Sequence, residues 1–289
     1  MVGRFLIGAK IGEGAYASVR EGLNMDTLRI VAVKIVDMRR LRKVRGGVEN
    51  VKLEIRAQKA LKRHPNIIEL IGVQEDVSKA KMYIFLEMAN GCTVQELLEL
   101  APKKCLPSSQ VAFLLYQTLV GLLYMHRRGV VHRDIKPSNL MLTASGELKI
   151  ADFGVAEFLD KYEIEDSVTR TTGSPAFQAP EIAKGEDGYS GMKVDVWAAG
   201  ITTYFLLVGS IPFEGETLVA LFNSIAEGKY DEPSELDEMA LDALRKMLEI
   251  DWRRRTGVEE LLKHPWISRA ARPPAAAQAS GRRMGAHSL

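Results

Sequence analysis

His132-Arg133-Asp134-Ile135-Lys136-Pro137-Ser138-Asn139 crowds ionisable and amide side chains into one short stretch, between the apolar Val130-Val131 and Leu140-Met141-Leu142. The apolar runs read as short buried strands, so the polar middle is a loop held on a rigid frame. Such a loop can bring an acid, a base and a metal ligand to one point. An ordinary polar turn with a helix cap is the plainer alternative, and the rest of the chain decides between them.

Upstream, Phe5 to Val36 alternates short apolar runs with glycines, which predicts antiparallel strands joined by tight turns. The first turn carries Gly12-Glu13-Gly14-Ala15-Tyr16-Ala17-Ser18-Val19, where glycines let backbone amides approach phosphate oxygens. Two glycines by themselves more often mark a simple hairpin. No Gly-x-x-x-x-Gly-Lys-Ser/Thr run occurs, which excludes a Walker-type phosphate loop. Val31 to Val36 then holds one lysine, Lys34, among β-branched residues. An exposed lysine on an edge strand is the plain reading; its place after the glycine turn favours a cation for phosphates. Glu54 lies in a run rich in helix formers, Val51 to Gln58, from which it can pair with Lys34. Glu49 competes for that pairing but falls before the helical pattern settles.

Met82 to Leu86 reads as a strand ending in the turn Glu87-Met88-Ala89-Asn90-Gly91. Pro107-Ser108-Ser109 then opens a long helix, apolar at Val111, Leu114, Leu115, Leu119, Leu122 and Met125, which are core positions. Beyond the polar loop, Asp152-Phe153-Gly154 sets a carboxylate at the end of another strand.

A chain of 289 residues is long enough for two lobes or one large domain. Its 46% hydrophobic and 26% charged residues suit an ordinary soluble globular protein. A formal charge of +2 argues against non-specific nucleic-acid binding. The dense basic run Arg39 to Arg45 reads as a solvated loop, with a docking or nuclear-import patch as the sharper alternative. Cys92 and Cys105 are the only cysteines, so no disulfide framework is implied and a reducing cytosol fits. Met1-Val2-Gly3-Arg4 leads straight into alternating strand-like sequence, so this stretch is not expected to be a signal peptide. The one long apolar run, Val194 to Val208, contains Asp195 and is too short to span a bilayer, so it is expected to be a buried core helix. Ala270 to Leu289, rich in Ala, Pro, Gly and Arg, is expected to be disordered.

Gly12/Gly14, Lys34, Glu54, His132-Arg133-Asp134, Asn139, Asp152-Phe153-Gly154 and Ala179-Pro180-Glu181, in that order, resemble the eukaryotic protein kinases from about Phe5 to Ile267. The resemblance implies an α+β bilobal fold. Residues 1–88 would form a small N-lobe, an antiparallel sheet with one main helix; residues 89–269 a larger, mainly helical C-lobe; residues 270–289 a tail. It also implies ATP with magnesium, manganese being a substitute. Asp134 would aim the substrate hydroxyl, Lys136 would meet the transferred phosphoryl group, and Asn139 and Asp152 would hold magnesium. Lys34, held by Glu54, would take the α- and β-phosphates. The nucleotide would lie among Ile11, Gly12, Glu13, Gly14, Ala15, Tyr16, Ala17, Val19, Ala32, Leu86, Glu87, Ala89 and Met141. Leu86 would guard the back of the pocket, and the turn after it would be the interlobe hinge. Thr169, Thr171, Thr172, Ser174 and Glu181 would belong to the activation segment, with Ser174 bonded to the catalytic loop and Glu181 paired with Arg255. Lys136, two residues after Asp134, resembles serine/threonine rather than tyrosine kinases.

Leu41-Arg42-Lys43, Lys79-Ala80-Lys81-Met82-Tyr83, Phe153-Gly154-Val155-Ala156-Glu157, Gly173 to Gln178 and Pro212-Phe213-Glu214-Gly215 look like the liver kinase B subfamily. That resemblance implies an upstream kinase for AMP-activated protein kinase and its relatives. It also implies a pseudokinase partner of the STRAD type and a helical-repeat scaffold; the expected location, read from the cysteines, is the cytoplasm, with the nucleus as the alternative through Arg39 to Arg45. The calmodulin-dependent kinase kinases compete, though the Arg/Pro-rich insert and a basic amphipathic helix after Ile267 are missing. A pseudokinase or binding module is the rival of another class. Three positions depart from the pattern: Ala17 replaces a third glycine, Arg133 stands where the animal liver kinase B proteins usually carry lysine, and Gln58 takes a usually apolar place. Arg133 suits a kinase that grips a phosphate on its activation loop, whereas the subfamily resemblance implies partner control.

Overall fold

The computed structural model describes residues 1–14, 16–159, 167–168 (backbone only) and 173–271. Five antiparallel strands, β1 (Phe5–Glu13), β2 (Ala17–Asn24), β3 (Ile30–Asp37), β4 (Leu70–Asp76) and β5 (Lys81–Glu87), form a sheet in the order β1-β2-β3-β5-β4. Strand side chains alternate between faces, and β3 shows why this matters. Val31 and Val33 join Phe5, Tyr83 and Phe85 on one face. Val36, with Met82 and Ile84 of β5, packs on the other against Val51 and Ile55 of α2 (Gly47–Ala60). Each fully buried aliphatic side chain stabilises by about 1.5–3 kcal/mol. Lys34 shares its face with Val36 and stands opposite Ile84, so strand parity alone turns it toward α2. The short α1 (Met38–Leu41) links sheet and helix, capped by the Asp37 carboxylate on the Arg39 and Arg40 N–H groups. The cations of the Arg39 to Arg45 run are exposed there, while Leu41 is buried.

The described residues after β5 build the larger, mainly helical lobe: α3 (Val94–Leu100), α4 (Ser108–His126), α5 (Pro180–Ala183), α6 (Gly191–Val208), α7 (Leu218–Glu227), α8 (Glu238–Met247), α9 (Val258–Leu261) and α10 (Pro265–Ser268). Thr93 and Glu96 cap α3 reciprocally, side chain to backbone in each direction. Helix α6 runs through the core, as its all-round apolar sequence predicts, with Trp197 fully buried and stacked on Phe213 at 5.6 Å. Helix α4 corrects one expectation: it, and not the Val194 to Val208 run, is long and apolar enough to cross a bilayer. In this fold it lies in the same core, with Leu119, Leu122 and Met125 fully buried.

Three two-stranded pairs frame the polar loop and the segment beyond it. Strand β6 (Val130–Val131) pairs with β9 (Glu157–Phe158), β7 (Leu140–Leu142) with β8 (Leu148–Ile150), and β10 (Ser167–Val168) with β11 (Tyr189–Ser190). The lobes meet through backbone. The Ile68 N–H donates to the Ile150 carbonyl (3.0 Å), and the Ile150 N–H to the Asn66 carbonyl (2.9 Å). After the hinge, the Gly91 N–H donates to the Leu142 carbonyl at 3.0 Å. A Cβ at Gly91 would stand 2.5 Å from that same oxygen, so the approach requires glycine.

Candidate active site

The polar loop between β6 and β7 is held from below by Asp195 of α6. Its carboxylate accepts the His132 N–H at 2.9 Å and the Arg133 N–H at 2.7 Å, and meets His126 Nε2 at 2.8 Å. A fully buried carboxylate would ordinarily titrate high. Burial does push Asp195 upward, but the hydrogen bond and charge of His126, with His132 and the Arg133 N–H, outweigh it and hold it below 3.8. This support lets Arg133 keep a left-handed backbone (φ 68°). The sequence reading missed Asp195; the signal was a carboxylate inside an otherwise apolar helix, which must find partners once buried.

Asp134 sits at the loop's centre. One carboxylate oxygen accepts from Lys136 Nζ at 2.7 Å and from Asn139 Nδ2 at 2.9 Å; the other accepts the Ser174 N–H at 2.8 Å. Lys136 Nζ also donates to Ser174 Oγ at 2.6 Å. Burial raises the Asp134 pKa, but Lys136 and Ser174 together bring it below 3.8, so the group is an ionised acceptor at neutral pH. Asn139 Nδ2 is committed to Asp134, which leaves Oδ1 as the atom able to meet a cation. The Asp134 N–H donates to His132 Nδ1 (3.2 Å), so His132 Nε2 carries the proton and donates to the Ala151 carbonyl at 3.0 Å. The His132 ring meets the buried Phe153 edge-on, with centroids 5.3 Å apart.

Asp152 has a left-handed backbone (φ 60°) and an exposed side chain, while its neighbour Phe153 is fully buried. Lys34 Nζ meets Glu54 Oε1 at 2.6 Å, with Glu54 almost wholly buried; Glu49 is exposed. Burial disfavours the Lys34 ammonium, but the charges of Glu54 and Asp152 more than offset it, and its pKa ends above 10.5. Gly12 and Gly14 shape the β1–β2 turn, whose Gly14 N–H donates to the Ala17 carbonyl at 2.7 Å. Glu13 is exposed and paired with Lys10, and Tyr16 is exposed. Ala17 opens β2 opposite Val36, and its methyl packs on the cluster beside α2. Val19 stands opposite Gly12 on one side and Lys34 on the other, and Ala32 opposite Leu86. Ile11 is exposed and Ala89 buried; Met141 on β7 bridges to Thr93. Glu87 donates its N–H to the Glu69 carbonyl (2.9 Å), and its carboxylate accepts the Glu69 N–H (3.2 Å) and meets Lys149 Nζ (2.7 Å). Ala15, Thr169, Thr171 and Thr172 lie outside the described residues.

The donor set suits magnesium. Among the described residues no cluster of three or more His, Cys, Asp or Glu could hold an ion alone. Magnesium typically takes one or two protein oxygens and completes its shell with phosphate and water. Asp152 and Asn139 Oδ1 are such oxygens. Below the site, Gly173 (φ 101°) passes so close to the loop that a Cβ there would stand 2.5 Å from the Arg133 carbonyl. Glu181 and Arg255 anchor the segment by two bonds, 2.7 and 2.9 Å, with both side chains essentially closed to solvent.

This strand-and-loop frame, with a lysine–glutamate pair above and an aspartate–lysine–asparagine group below, is the architecture of a bilobal kinase. Residues 5–267 match the protein kinase domain. The chain is 42% identical over 277 residues to the human serine/threonine-protein kinase STK11, covering 96% of this chain and 63% of that protein. It is 43% identical to the Xenopus laevis stk11 protein over 92% of this chain and 61% of that one, and 37% identical to the Dictyostelium discoideum stk11 homolog over 92% and 45%. The chain thus spans less than two thirds of the length of these relatives. It belongs to the protein kinase domain family, with serine/threonine kinases as its relatives.

Proposed function

We propose that this chain transfers the γ-phosphoryl group of ATP to serine and threonine hydroxyls of protein substrates, and that its targets are the activation loops of kinases of the AMP-activated type. The observation that carries the chemistry is the shared bonding of Asp134, Lys136, Asn139 and Ser174, set across the cleft from the closed Lys34–Glu54 pair. Asp134, ionised and fixed, aims the incoming hydroxyl and takes its proton. Lys136 stands beside it to meet the phosphoryl oxygens. Lys34, kept charged by Glu54, orients the α- and β-phosphates, and the glycine turn closes over them. Asp152 and Asn139 Oδ1 would hold magnesium, which would supply positive charge against the phosphates. Holding nucleotide and hydroxyl in line is the main source of acceleration, since the protein makes no covalent bond to either.

The target class rests on the resemblance to the STK11 proteins over both lobes. The same resemblance supports control by a pseudokinase and a helical-repeat scaffold. A kinase that is mostly inactive alone needs several kcal/mol of differential binding to become mostly active, which a large partner surface can supply. The test is incubation of the purified chain with magnesium-ATP and the catalytic subunit of AMP-activated protein kinase, with and without pseudokinase and scaffold. Low activity alone and a strong gain with partners are expected. Full activity of the bare chain would refute partner control, and transfer to other proteins but not to this subunit would refute the target class.

A further inference from the structure

The Arg133 side chain is only 3% exposed, and its guanidinium pairs with the Glu157 carboxylate. A nearly buried guanidinium needs an anion close by. A phosphate added to the activation segment was one candidate from sequence; here a carboxylate of the chain itself occupies that role. Glu157 belongs to β9, which is fixed on two sides. Glu157 stands opposite Val131, the residue just before the catalytic loop. Its neighbour Phe158 lies beneath the Arg56 guanidinium of α2, 4.4 Å from the ring centroid. Successive strand residues face opposite ways, so one turns to the catalytic loop and the other to the helix that carries Glu54.

We propose that Glu157 is a positioning residue that does at Arg133 what a loop phosphate would do, so that the chemical step proceeds without one. Among the described residues, three contacts fix Arg133. Its N–H is held by Asp195, its carbonyl lies beneath Gly173, and its guanidinium is held by Glu157. Asp134 is mounted directly on that fixed residue. A phosphate brought to the same place, carrying about −1.5 to −2 charges at pH 7, would meet the Glu157 carboxylate as well as the guanidinium, and like charges would cancel much of its gain.

The test compares wild type, Glu157→Gln and Glu157→Asp, each stripped of phosphate by phosphatase and checked by mass spectrometry. Transfer is measured to a generic serine/threonine peptide mixture, so a wrong reading of the physiological target leaves the test intact. Dephosphorylated wild type is expected to keep its rate within about twofold, and Glu157→Gln to lose about tenfold in kcat with KM for ATP within about twofold. Glu157→Asp should restore most of the loss. A merely structural role would lower thermal stability without separating kcat from KM. Loss of wild-type activity on dephosphorylation, or a Glu157→Gln variant with wild-type kcat, would overturn the proposal. Should Glu157→Gln not fold, the double variant Arg133→Gln/Glu157→Gln, which leaves no buried charge unpaired, takes its place: a kcat about tenfold lower supports the proposal and a wild-type kcat overturns it.

Discussion

Lys136 Nζ lies 2.7 Å from the Asp134 carboxylate and 2.6 Å from Ser174 Oγ, so one ammonium ties the catalytic loop to the start of the segment that follows the activation loop. The Ser174 N–H closes the ring by donating to Asp134 at 2.8 Å. Moving either segment breaks bonds to a charged group, each of which contributes about 1.5–3 kcal/mol.

Asp134→Asn and Asp152→Asn are each expected to cut turnover at least about a thousandfold, about 4 kcal/mol of barrier. The fold should survive both, because neither residue is part of the core. Nucleotide affinity should stay nearly unchanged in the first variant and lose its magnesium-dependent part in the second. Steady-state kinetics with calorimetric nucleotide titration checks this; turnover like the parent's would sink the assignment.

Gln58 is 3% exposed, and its Oε1 has no hydrogen-bond partner among the described residues. A buried amide oxygen left unpaired costs about 1–3 kcal/mol. Gln58→Leu should therefore raise the melting temperature and the activity of the isolated chain, since α2 also carries Glu54. A thermal melt and a basal rate suffice; a fall in both would mean that the amide is worth more where it is.

Arg255→Ala leaves Glu181 as an uncompensated charge in the core, where removing one partner of a buried pair costs about 3–5 kcal/mol. Urea unfolding should show a loss in that range. A shift below about 1 kcal/mol, ordinary for an exposed pair, would contradict the burial of both side chains.

The depressed pKa of Asp195 fixes the sign of a pH effect. A carboxyl whose folded value lies below its unfolded one contributes stability above the unfolded value and loses it as pH falls through the folded value. Its contribution is thus complete above 3.8 and disappears only below it. The stability gap between wild type and Asp195→Asn should not narrow as pH falls from about 7 to about 5. A gap that narrows within that window would mean that desolvation wins over His126 and the two N–H donors.

Much of this site was legible because its residues obey local periodicities. The place of Lys34 after the glycine turn marked it, and the helix-forming run Val51 to Gln58 marked Glu54; Glu49, expected to precede the helix, lies inside α2 but is exposed. Apolar flanks marked out the catalytic loop, and the Glu181–Arg255 pair was readable as a charge complement. Asp195 and Glu157 were not legible in the same way. Each acts on the catalytic loop from another element, 62 and 24 residues from Arg133. No periodicity within one element encodes a contact made between elements. Helix α4 shows the converse: its composition suits a lipid environment as well as a protein core, and only its neighbours distinguish the two.

The close passage of Gly91 over Leu142 determines where the two lobes can pivot. On one side of the hinge, Glu87 is pinned by the Glu69 carbonyl and by Lys149; on the other, Gly91 and Cys92 exchange backbone bonds with Leu142. Torsional freedom is left to Met88, Ala89 and Asn90, and the Asn90 side chain accepts the Ala144 N–H at 2.9 Å. A rotation about those three residues would carry the glycine turn, and it would also load the Ile68–Ile150 and Ile150–Asn66 backbone bonds, which join the lobes from the other side.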